Sequence, residues 1–173
     1  MGQACRHHVP AADSPGAWLG AVLGAAANAG RDKVTLVLPE EIAALGSWVE
    51  QLIAESTGKL GRGIVPVDGE PLGAPEVYGN DRVFVAIGDH EGLGALERAG
   101  HPVVRFPYGD MYQIGGEFFR WEFATAVAGH MIGIHPFDQP NVHQVGYATA
   151  RILGGATVDP STPSVVDILA KVQ

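Results

Sequence analysis

Apolar residues recur at helical spacing after Ser14-Pro15, at Trp18, Leu19, Val22 and Leu23. Serine followed by proline is an N-cap with proline at the first helical position, and Gly30 supplies a stop, so the pattern predicts a helix over 15–29. Lys33-Val-Thr-Leu-Val-Leu38 is a short β-branched run ended by Pro39, and its near-continuous apolar character predicts a strand covered on both faces. A second helix fits 40–57, closed by Gly58. The alternation continues with a strand over 63–67, a Gly/Pro-rich loop to Asp81, a strand over 82–87, a helix over 91–99 and a strand over 102–106. Residues 115–134 form a long, largely apolar helical stretch. Glu117, Arg120 and Glu122 in its first turns mark a buried core helix rather than a membrane span. A helix over 141–153 follows, and a short terminal helix over 163–173.

Strands alternating with helices define an α/β fold: a doubly wound, mostly parallel sheet with helices on both faces. Ligands in such folds gather beyond the carboxyl ends of the strands, so chemistry is expected in the loops and helix starts there. Gly16, Gly20 and Gly24 fall four residues apart in the first helix, a stripe that predicts close packing on the sheet. No internal repeat or domain-splitting linker interrupts the pattern, so the chain divides into an N-terminal tail, 1–14, and one domain, 15–173.

Composition narrows the function classes. With 173 residues, 46% hydrophobic and 17% charged, the chain has the length and content of one packed domain. The 24 glycines and 12 prolines lie scattered between apolar runs, as many short turns require. Eleven Lys+Arg against nineteen Asp+Glu leave a formal charge of −8, which makes nucleic acid and anionic membrane poor partners. One cysteine, Cys5, makes no intrachain disulfide, and a reducing cytoplasm is the default location. Seven histidines are dispersed, and His130 and His135 are five apart rather than four, so no metal site is expected. Gly92-x-Gly94 lacks the third glycine and the acidic residue of a dinucleotide fingerprint, and no cofactor is expected.

The strongest chemical constellation is Trp48-Val-Glu-Gln51-Leu-Ile-Ala-Glu55-Ser-Thr-Gly58-Lys59. Gln51 and Glu55 are i and i+4, so an amide and a carboxylate share one helix face and can converge on a small molecule. The helix C-terminus disfavours negative charge, which suits a group that takes up and gives back a proton. The bland alternative is a solvated glutamate paired with Lys59, again i+4.

These residues, with Val67-Asp-Gly-Glu-Pro-Leu72, the run Gly116 to Gly129 and Phe137-Asp-Gln-Pro-Asn-Val142, resemble the second half of phosphoglucose isomerase. The resemblance is nearest to the form fused behind transaldolase in some bacteria. It implies a sugar isomerase (SIS) domain, a three-layer sandwich, and aldose–ketose interconversion of a hexose 6-phosphate. It further implies that Glu55 is the base that moves a proton between C1 and C2 through an enediolate. Gln51, and Gln139 of Phe-Asp-Gln, match glutamines of the substrate pocket. Neutral amides can hold hydroxyls and the developing enediolate without competing for the proton.

The sequence departs from the family at three places. The family's lysine nine residues after the phenylalanine of Phe-Asp-Gln is Gly146 here, within a run that begins His143-Gln-Val. The segment after Gly69-Glu-Pro carries no histidine to open the sugar ring. The Ser/Thr-rich phosphate loop belongs to a first SIS domain, and Ser161-Thr-Pro-Ser164 is no substitute. The expected partners are therefore a sugar phosphate and a first SIS domain or transaldolase-type partner. Apolar residues on more than one face of 115–134 add the expectation of a homodimer. The rival reading is a non-catalytic sugar-phosphate-binding or assembly module. The predicted arrangement places Glu55 at a helix end beside the ligand crevice, with Gln51 on the same face.

Overall fold

The structure, a computed structural model, describes residues 1–138 and 140–155, in two compact units, Met1–Asp138 and Gln139–Gln173. Gln139, the expected terminal helix and Ser161 to Ser164 lie outside the described residues. The first unit contains helices α1 (Pro15–Asn28), α2 (Ala44–Thr57), α3 (Leu93–Arg98) and α4 (Ile114–Met131), and strands β1 (Lys33–Val37), β2 (Val65–Val67), β3 (Arg82–Ile87) and β4 (Val103–Phe106). The described part of the second unit holds helix α5 (Pro140–Leu153), which carries Gly146.

Ser14 caps α1 through its hydroxyl, which accepts from the Ala17 amide at 3.4 Å, and Pro15 follows at the first position. The expected helix over 40–57 is divided. Pro39 sets extended backbone, residues Glu40–Ile42 make a single 3₁₀ turn, and α2 begins at Ala44. The expected strand over 63–67 shortens to three residues. The Ile64 amide donates to the Thr57 hydroxyl at 2.9 Å, and pairing with β1 starts with the Val65 amide on the Asp32 carbonyl.

The four described strands are all parallel, in the order β2-β1-β3-β4. One face buries Val34, Leu36, Val83, Val85 and Ile87 under α1, α2 and α4. The other buries Val37, Phe84 and Ala86 under α3 and the loop carrying Leu72 and Tyr78. Helices flank both faces, as the alternating pattern requires. The chain leaves β1 toward β2 and leaves β3 toward β4, so the winding reverses between β1 and β3.

The glycine stripe of α1 packs on a helix and not on the sheet. A Cβ at Gly16 would lie 2.8 Å from Cβ of Phe123, one at Gly20 would strike the Ala124 carbonyl, and one at Gly24 would overlap Met131. Beneath a sheet of β-branched residues, two helices on the same face approach most closely where one lacks side chains, and these three glycines supply that surface.

Of the three charges in the first turns of α4, Glu117 and Arg120 are buried and Glu122 is exposed. Arg120 Nη1 lies 2.8 Å from Glu117, both side chains are under one-tenth exposed, and the guanidinium stacks 3.9 Å over the Phe106 ring. Burial pushes the Glu117 carboxyl up and the Arg120 guanidinium down, against the attraction between them. Cys5, within the segment 1–14 expected as a tail, is buried as well. Among the described residues, no helix is long and apolar enough to cross a membrane.

Candidate functional site

Helix α2 is built in stripes. Leu45, Val49, Ile53 and Thr57, each four residues on, face the core, with Thr57 donating to the Ile53 carbonyl at 2.8 Å. Glu50, Ala54 and Gly58 form the neighbouring stripe, which lines a cleft of about 810 Å³ together with Arg62 and Ile132. Gln51 and Glu55 form a third stripe, exposed to solvent, in which the Gln51 amide Nε2 donates to Glu55 Oε1 at 3.2 Å. The expected sharing of one face is present, and Glu55 lies in the last turn of α2.

The position of that turn differs from expectation. Helix α2 starts beyond the carboxyl end of β1 and runs back antiparallel to the strands to reach the start of β2. Its last turn therefore lies at the amino ends of the strands, and the cleft beside it is formed by segments that enter β1 and β2. A separate pocket of about 390 Å³ occupies the reversal of winding at the carboxyl ends, lined by Val37, Asp68, Glu70, His90 and Glu91. That is where open α/β sheets ordinarily take ligands. Two of its acids are already engaged: Glu70 accepts from Arg82 at 2.8 Å and from Thr35 at 3.3 Å, and Asp68 from Ser47 at 3.3 Å.

Lys59 does not pair with Glu55. Its side chain is only 4% exposed, and the ammonium group turns to the segment after α4, where it donates to the His135 carbonyl at 2.8 Å and to the Asp138 carbonyl, and meets Asp138 Oδ1 at 3.1 Å. The turn that holds it is tight. Lys59 and Arg62 exchange two backbone hydrogen bonds of 2.9 Å, with Leu60 and Gly61 at positive φ between them. Leucine at φ 56° is strained, and the turn persists because both of its shoulders are anchored. Arg62 supplies the second anchor, donating to the Ile132 carbonyl at 2.8 Å. The structure thus brings Glu-Ser-x-Gly-Lys against the Phe137-Asp138 portion of Phe-Asp-Gln. Sequence reasoning assigned no role to Lys59 or Arg62 in this junction. Lys59 is legible as a motif residue and as an i+4 partner for Glu55, and Arg62 only as a second cation three residues on; neither points to acceptors over 132–138.

No family model matches the sequence. The chain is 27% identical to glucose-6-phosphate isomerase of Enterococcus faecalis over 151 residues, taking in 62% of this chain and 34% of that enzyme. It is 24% identical to glucose-6-phosphate isomerase of Heliobacterium modesticaldum over 154 residues, 64% of this chain and 34% of that enzyme. The chain thus spans about a third of the length of these curated relatives, and the likeness to glucose-6-phosphate isomerase is distant and partial. A hypothetical protein from Thermus thermophilus shares the fold, with a TM-score of 0.64 at 20% identity, over 86% of this chain and 47% of that one.

Proposed function

We propose that the chain is the second SIS-type half of a glucose-6-phosphate isomerase, of the kind found fused behind transaldolase, and that Glu55 is its catalytic base. The observation that carries this reading is the state of Glu55. It sits in the last turn of α2 with a neutral amide as its hydrogen-bond partner, while the nearest motif cation, Lys59, is committed to Asp138. A carboxylate so placed can take a proton from C2 of an open-chain aldose phosphate and return it to C1, the hydroxyl proton moving from O2 to O1. The atoms balance without an oxidant or cofactor. Gln51 holds the carboxylate's orientation. The family resemblance assigns Gln139 the role of a second pocket amide. The low similarity to two glucose-6-phosphate isomerases supports the substrate class.

A non-catalytic sugar-phosphate-binding module is the second reading, favoured by glycine at position 146, on α5, where the family carries lysine. A coupled assay following fructose 6-phosphate to glucose 6-phosphate separates the two. It is run with the chain alone and with a first SIS domain added. Turnover that depends on Glu55 supports the isomerase, and absence of turnover in both arrangements supports the binding module.

A further inference from the structure

We infer that Lys59 is a positioning residue, the tether that fastens the Phe137-Asp138 segment to the end of α2 carrying Glu55. The inference rests on the isomerase reading above and adds to it a residue that touches no substrate. A lysine is rarely buried without a charge partner, because removing its ammonium group from water costs several kcal/mol unless counter-charge and hydrogen bonds compensate. Here all three N–H donors have acceptors: the carbonyls of His135 and Asp138 and the carboxylate of Asp138. Two of the three are backbone groups, so the lysine reads the course of the chain over 135–138 rather than one side chain. Those carbonyls lie beyond α4, whose own last carbonyls, from Ala128 to Met131, are taken by backbone amides and by Asn28.

Arg62 repeats the device at Ile132, three residues before the first Lys59 acceptor. The two cations lie at the shoulders of one rigid turn, and their acceptors span the exit from α4. A strained leucine at the tip is tolerable because the shoulders are held. The same tether fixes the charge pattern at the base. A lysine four residues after a glutamate on a helix ordinarily pairs with it. By committing this one to Asp138, the fold leaves Glu55 with an amide partner. Lys59 therefore joins two motifs that lie about eighty positions apart in the chain, and keeps its own charge off the base.

The test compares the wild-type chain with Lys59→Met, Lys59→Arg and Asp138→Asn by hydrogen–deuterium exchange and by isomerase assay with a first SIS domain present. In Lys59→Met the amides of 132–138 should exchange at least about 10-fold faster while those of β3 keep their protection. Lys59→Arg, which retains the cation, should restore most of the difference. If Lys59→Met also exposes β3 and so unfolds globally, Asp138→Asn decides instead. It leaves Lys59 its two carbonyls, and should loosen 132–138 by a smaller, local factor. Unchanged exchange over 132–138 in whichever variant remains folded overturns the tether. In the assay, Lys59→Met should lower kcat about 10-fold or more, with KM changed less than about threefold and recovery in Lys59→Arg, because misplacing a positioned group by an ångström can cost up to about 10². Normal kcat in Lys59→Met beside an active wild type overturns the positioning role and leaves the isomerase reading standing. An inactive wild type overturns the isomerase reading itself, while exchange still judges the tether.

Discussion

The Gln51 amide lies 3.2 Å from the Glu55 carboxylate, one helical turn away on the exposed side of α2. An exposed i,i+4 pair of this kind contributes only about 0.2–0.5 kcal/mol to the helix, so its removal is nearly silent in stability. Glu55→Gln should therefore leave the melting temperature within a degree or two, by the usual conversion for a domain of this size. If the isomerase reading holds, the same change should lower turnover by about 10² or more, since general-base contributions are commonly of order 10²–10⁴. Circular dichroism melts and the coupled assay on one preparation check both halves. Near-normal turnover would place the base elsewhere.

The close approach of α1 and α4 makes a packing prediction. Gly20 faces the Ala124 carbonyl and would bring a new Cβ to 2.7 Å from Cβ of Val127. Alanine at that position gains about 1 kcal/mol of helix propensity, yet Gly20→Ala should come out destabilising, and Gly20→Val more so, because overpacking costs about 1–3 kcal/mol. Gly115 is the control: a methyl group there would meet nothing within 4 Å, and Gly115→Ala should be neutral or stabilise by under about 1 kcal/mol. Urea unfolding of the three variants measures this.

The buried pair on α4 predicts an asymmetry between single and double substitutions. Arg120→Ala leaves the Glu117 carboxylate inside without its partner and should cost about 3–5 kcal/mol, whereas joint replacement by Glu117→Leu and Arg120→Met should recover much of that loss. A double-mutant cycle by chemical denaturation reads the coupling, and additive losses would contradict it.

Much of this architecture is legible in the residues because parallel strands buried on both faces have no polar alternation to confuse them. Arg82–Ile87 and Lys33–Val37 stand out from their neighbours for that reason, and Ser14-Pro15 marks a helix start through its own chemistry. What escaped the pattern depends on geometry between distant segments. Gly16, Gly20 and Gly24 announce a close approach but do not name the partner. Glu55 and Gln51 are legible as a pair, yet the end of the strands beside which Glu55 lies follows from the return direction of α2. Lys59 offers Glu55 at i−4 as its local partner, and only the folded chain brings Asp138 within reach to displace it.

A pH dependence follows from Lys33 and Asp81, 2.8 Å apart and both partly exposed. The hydrogen bond from Lys33 holds the Asp81 carboxyl below its ordinary range. A depressed folded-state value means that the stabilisation is complete above the unfolded carboxyl's value, about 4, and is lost as pH falls through the lower folded value. The stability difference between wild type and Lys33→Met should thus shrink on acidification. Denaturant melts at stepped pH check the sign, and a difference that grows toward acid would refute it.

If the sugar phosphate's dianion is received by a first SIS domain, the chain alone should show little isomerase activity, and adding that domain should raise it. Binding energy from a remote phosphate commonly holds the reacting carbons against the base, and this sequence offers no Ser/Thr-rich loop to collect it. Robust turnover by the chain alone would overturn the expectation.

The outermost described strand, β2, is three residues long with Pro66 at its centre. Parallel pairing sends the Val65 amide inward to Asp32, so the amide on the next residue would point outward, and proline has none to offer. A newcomer strand arriving at this margin meets a missing rung. The sheet therefore carries a built-in terminator against edge-to-edge growth on that side, and any lasting association there has to be made through side chains and helices instead of a shared backbone ladder.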